Sequence, residues 1–156
     1  MNFLKTFLIT FATYIGLNAV FLAVSIFMSP TFPLSDIYFV ISTLFSQIMV
    51  TPGAALLGIA ALIFAFDLSG LIVILWLMIP PLGAVIVGAR LGDSGKFSFL
   101  SWFLTCVISC VVYILLLMLG ASPLLSIPTI VFVIIGGVVN WICYGCFSYI
   151  LSKGSL

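Results

Sequence analysis

A chain of 156 residues that is 65% hydrophobic and 4% charged, with net charge +1, has too little polar sequence to clothe a soluble domain. Its seven charged side chains, Lys5, Asp36, Asp67, Arg90, Asp93, Lys96 and Lys153, form no basic patch for nucleic acid and no cationic run for anionic headgroups. With no His and no Glu, the common haem, copper, zinc-hydrolase and di-iron ligand sets cannot be assembled from this chain alone. No nucleophile–base pair is visible either, so neither an enzyme nor a cofactor is expected.

What remains is an all-α, polytopic integral membrane helix bundle, a single transmembrane domain over 1–156. A hydrocarbon core of about 30 Å takes roughly 20 apolar residues per crossing helix. The apolar blocks are 6–28, 37–66, 71–89, 99–119 and 127–151. Block 6–28 exceeds a signal-peptide core and no A-x-A site precedes Ser29, so it reads as a retained first helix. Asn18 lies near its middle.

The second block spans about 30 residues, roughly 45 Å as one helix, far more than the bilayer needs. Thr51-Pro52-Gly53 interrupts it: Pro lacks an N–H and clashes with the preceding turn, and Gly permits a reversal. Its arms, 37–50 and 54–66, are read as a helical hairpin that enters and returns on one side. That arrangement collects Lys5, Arg90, Lys96 and Lys153 on the inner side and puts Asp36 and Asp67 outside, whereas a single crossing violates the positive-inside rule. The expected topology is therefore four full spans plus the Pro-Gly-interrupted hairpin, or six spans with two short. Both termini are cytoplasmic, and the membrane is the plasma or inner membrane.

Block 71–89 carries Pro80-Pro81 near its middle, where a kink is expected that neighbouring helices can tolerate. Ala84/Gly88 here and Ala54/Gly58 in the hairpin are small residues four apart, a spacing that lets helices approach closely and accounts for the similarity of the two stretches better than a structural repeat does. The turn that follows, 90–96, resembles a phosphate loop only superficially, because its spacing fails and no strand precedes it. It reads as a solvated loop that sets topology.

Blocks 99–119 and 127–151 hold the cysteines in pairs, Cys106/Cys110 and Cys143/Cys146, each on one helical face. A tetrathiolate metal or redox site is the sharper interpretation. Against it, thiolates are costly in hydrocarbon and no cation lies near to lower their pKa, so the thiols are expected to be reduced, metal-free packing residues. Tyr38, Phe99, Trp102 and Tyr149 fall near block ends, as interfacial rings do, while Trp76 and Trp141 lie deeper.

No ionisable residue lies deep in a span, which disfavours a proton relay or ion path. The polar groups that can share the midplane are Asn18, Gln47, Thr51 and Asn140, either interhelical hydrogen-bond partners or the lining of a site for a neutral ligand. The preferred function is a small non-catalytic membrane subunit that packs in a larger complex, its partners being the lipid bilayer and other membrane subunits or further copies of itself. The alternative is a small-molecule transport or substrate-binding module. In the six-helix version, Pro52-Gly53-Ala54-Ala55-Leu56-Leu57-Gly58 is faintly similar to a stretch of the substrate-capture subunits of energy-coupling-factor transporters, which would imply the second class.

Overall fold

The few polar residues between the apolar blocks decide where the helices begin. In the computed structural model, which describes residues 2–28, 37–65, 68–92, 94–120 and 126–153, the Asn2 side chain accepts a hydrogen bond from the Lys5 N–H. Helix α1 (Phe3–Met28) accordingly starts three residues before the expected block. Ser94 does the same for Phe97 and opens α5 (Gly95–Leu119) four residues early. Helix α6 (Ile127–Lys153) starts behind Ser126, whose hydroxyl accepts from the Thr129 N–H.

Between α1 and α5 lie α2 (Ile37–Ser46), a 3₁₀ turn (Gln47–Met49), α3 (Pro52–Ala65) and α4 (Leu68–Leu91). Among the described residues every element is helical. Four helices, α1, α4, α5 and α6, are long and apolar enough to cross a membrane. Pro80 and Pro81 lie inside α4 without ending it, and both are buried against the bundle.

Glycines and rings report how the helices run. Gly83 of α4 faces Leu17, Gly88 faces Thr10 and Gly92 faces Thr6, so α1 and α4 are antiparallel. Ring contacts pair Phe3 with Phe97 and Tyr14 with Trp102, so α1 and α5 run the same way. Gly95 abuts Ser152 and Tyr149, while Gly137 abuts Cys110, which makes α5 and α6 antiparallel. The start of α1, the end of α6 and the positions of Lys5, Arg90, Lys96 and Lys153 therefore gather at one end of the bundle. Tyr38 touches Gly120 at the opposite end. Asp36 and Asp67, which the charge argument also uses, lie outside the described residues, as does Asp93.

The interrupted block departs from the expected hairpin in two respects. Its break precedes Pro52, because a proline fits the first position of a helix, where an N–H would be orphaned in any case. Its arms also splay, with a bend of 101° between them. Helix α2 packs on α5 and α1, while α3 packs on α4. Pro52 lies beside Leu82 and Gly58 beside Ile74, so α3 runs antiparallel to α4. The tip thus stops at the level of Leu82, roughly 13 Å short of the α4 end at Leu91.

If the broken pair enters and leaves on one side, single cysteines placed at Ser69 and Ser126 in a cysteine-free background will label from the same side, and one at Lys96 from the other. Labelling of Ser69 and Lys96 from one side would sink that topology.

Candidate functional site

A helix that begins inside a bundle must satisfy its own first turn, since hydrocarbon offers no partner. Here the sequence supplies most of it. Thr51 Oγ1 accepts from the Ala54 N–H at 3.3 Å and the Thr51 carbonyl accepts from the Ala55 N–H at 3.1 Å. Pro52 has no N–H to satisfy. Of the first-turn donors, only the Gly53 N–H is not taken up by these bonds.

The other side of the break is held by α6. Asn140 Nδ2 donates to the Val50 carbonyl at 2.9 Å, and the Trp102 indole donates to the Asn140 carbonyl at 3.4 Å. One turn earlier on α6, a Cβ at Gly136 would stand 2.8 Å from the Met49 carbonyl oxygen and 3.1 Å from its Cα. The absence of a side chain is what lets α6 touch the tip backbone. Ile48, fully buried, joins a core of Tyr14, Ala84, Val85, Trp102, Cys106 and Tyr144.

Three of the midplane residues expected from sequence, Gln47, Thr51 and Asn140, therefore belong to this tip. Gln47 is buried with Oε1 unpartnered, and Asn140 Oδ1 is likewise buried and unpartnered. Asn18 is tied elsewhere: its Nδ2 donates to the Tyr14 carbonyl at 3.0 Å and its Oδ1 accepts from the Trp76 indole at 3.1 Å, linking α1 to α4. Among the small residues, Ala84 is buried, Gly88 meets Thr10 and Gly58 meets Ile74, but Ala54 faces outward. A Cβ at Gly53 would meet nothing.

Sequence reasoning missed a polar seam. Thr6, Thr10, Tyr14 and Asn18 repeat every four residues along α1 and are all buried. On α5, Ser98, Ser101, Thr105 and Ser109 are buried as well. The two rows approach each other: Thr6 and Ser98 both flank Gly92 at one end, and Tyr14 faces Ser109 further in.

Most of the seam is satisfied locally, with Thr10 donating to the Thr6 carbonyl, Thr105 to the Ser101 carbonyl and Ser98 to the Gly88 carbonyl, each at 2.9 Å. The hydroxyls of Tyr14, Ser101 and Ser109 are buried and fall outside hydrogen-bond geometry. The signal available in the sequence was the spacing of four, which places polar groups on one face of an apolar helix.

All these groups are neutral. They can hold a neutral hydrogen-bonding molecule or each other, and they provide no general base. The cysteines divide differently from the packing expectation: Cys106 is buried and Cys110 half-buried, but Cys143 and Cys146 are exposed on α6. Among the described residues no group of three or more metal-ligating side chains comes together. No family model matches the chain, and neither a curated protein nor a solved structure is significantly similar to it.

Proposed function

We propose that this multi-pass membrane protein is a small non-catalytic subunit that associates through the outward face of α1 with another transmembrane helix, from a partner protein or a second copy. The observation that carries this reading is the α1 surface. Ala12, Gly16, Ala19 and Ala23 lie on one face, all exposed, and a Cβ at Gly16 would meet nothing within 4 Å. Small residues at this spacing let helix backbones approach, and packing of that kind drives association in lipid. The buried amides support the same reading, since Asn18 and Asn140 both bond within the chain. The plasma or inner membrane is the expected location.

Gly16→Ile tests it. Native mass spectrometry in mild detergent is expected to show the wild type with a stoichiometric partner or a second copy, and the variant, folded as before, at least tenfold depleted in it. A wild type that is solely monomeric would defeat the reading.

A transport or binding module is the second reading, favoured by the unpartnered carbonyls of Gln47 and Asn140 beside a broken helix. Transporters build substrate sites in such places.

A further inference from the structure

We infer that the outward groove between α5 and α6 binds an anionic phospholipid, with its phosphate where α5 begins and α6 ends and an acyl chain along the groove. At that end a depression of about 400 Å³ is lined by Phe99 of α5 and by Cys146, Tyr149 and Ile150 of α6. Cys146 and Ile150 are exposed, so it opens sideways, towards lipid.

Further along the same two helices, the Trp141 ring lies 5.4 Å from that of Phe99 and 4.6 Å from that of Phe103, forming an aromatic shelf. Beyond the shelf a second apolar depression, of about 240 Å³, begins at Phe103, Cys106 and Trp141. Lys96, Phe99, Phe103 and Cys106 follow one another at spacings of three or four, which keeps them on one face of α5. Cys106 stands about 15 Å along the helix from Lys96, the depth of one leaflet's hydrocarbon. An acyl chain whose headgroup rests at Lys96 therefore follows the groove and ends at the second depression.

Charge selects the headgroup. A Cβ at Gly95 would stand 2.6 Å from Ser152 Oγ, so α5 and α6 touch there, and Lys96 and Lys153 each follow directly on one residue of that contact. Two cationic positions from neighbouring helices are thereby set one turn outside the depression, Lys96 before Phe99 and Lys153 after Tyr149. The chain has no run of cations, and the fold makes a pair. Lys96 is exposed and no acidic residue is among those described. Asp93, in the turn ahead of Lys96, is set against four cations at this end, which leaves an excess of positive charge.

Basic pockets between transmembrane helices hold anionic headgroups, and each cation near the surface is worth roughly fivefold in affinity. A zwitterionic headgroup gains less, because its own ammonium opposes the lysines. A soluble phosphate has no tail to place on the apolar lining, so the occupant is a lipid. This site uses no residue of α1 and stands whether or not the chain has protein partners.

The test titrates the delipidated full chain in mild detergent with dioleoylphosphatidylglycerol or dioleoylphosphatidylcholine, and counts bound lipid by native mass spectrometry. One phosphatidylglycerol is expected to bind saturably, at least about fivefold more tightly than phosphatidylcholine. The double variant Lys96→Gln, Lys153→Gln loses that preference, whereas Lys5→Gln, on a helix that does not line the groove, keeps it within about twofold. Cys146→Trp, at an exposed position, fills the depression and weakens phosphatidylglycerol binding at least about fivefold; if it fails to fold, the lysine variants decide.

Glycerol 1-phosphate, added in excess, is expected to leave the lipid bound. Equal binding of the two lipids, a preference kept by the double lysine variant, an equal loss in Lys5→Gln, retained binding in a folded Cys146→Trp, or displacement by glycerol 1-phosphate would overturn the inference.

Discussion

Gly136→Val is expected to destabilise the bundle by about 3 kcal/mol, the upper end for overpacking, and to expel the tip from the core. The atoms that a new Cβ meets are the carbonyl oxygen, Cα and C of Met49. They are backbone, so no rotamer change relieves the collision. Either α6 withdraws from the tip or the tip leaves the bundle, and in both cases Ile48 loses its burial and Asn140 its bond to Val50. Cys146→Val is the control, because it lies at an exposed position of the same helix, and it is expected to leave chain stability within about 0.5 kcal/mol. Equilibrium unfolding in mixed micelles, or steric trapping in bicelles, reads both. A Gly136→Val variant as stable as the control would show that α6 does not rest on the tip.

Replacing the three buried amides by Leu is expected to give three different results. Asn140→Leu costs about 2 kcal/mol: an average hydrogen bond between membrane helices is worth only about 0.6 kcal/mol, but its loss here leaves the Val50 carbonyl unpartnered. Asn18→Leu costs about 1 kcal/mol, since it strands the Trp76 indole N–H. Gln47→Leu is neutral or stabilising, because its Oε1 already has no partner.

The same unfolding measurement ranks them, and mass analysis of co-purified small molecules adds the functional readout. Loss of a specific ligand in Gln47→Leu with stability unmoved would favour the transport reading over the subunit reading. A ranking with Gln47 as the most damaging site would contradict the hydrogen bonds described for the tip.

That the second block breaks beside Pro52 was legible because proline chemistry is local: the residue that cannot continue a helix can still begin one. The convergence of Lys5, Arg90, Lys96 and Lys153 positions on one end followed from a rule that needs only their order along the chain. What could not be read was the partner of each buried amide. Asn18 and Asn140 look alike in sequence, yet one bridges two complete helices and the other holds a broken one, a distinction set by side-chain contacts far apart in the chain. The α1 and α5 hydroxyls went unread for another reason. Ser and Thr barely disturb a hydropathy profile, so a row of them every three or four residues leaves a span looking uniformly apolar.

The bond from Asn140 to Val50 joins residues 90 positions apart, and this has a consequence for biogenesis. A ribosome releases the tip well before it has made α6, and until then the Met49 backbone has no Gly136 to lie against and the Val50 carbonyl no amide to accept from. Neither α2 with its 3₁₀ turn nor α3 is long enough to be recognised as a crossing segment by itself. Until then the tip lacks the contacts that hold it in the bundle, and α6, made 90 residues later, is what fixes it there.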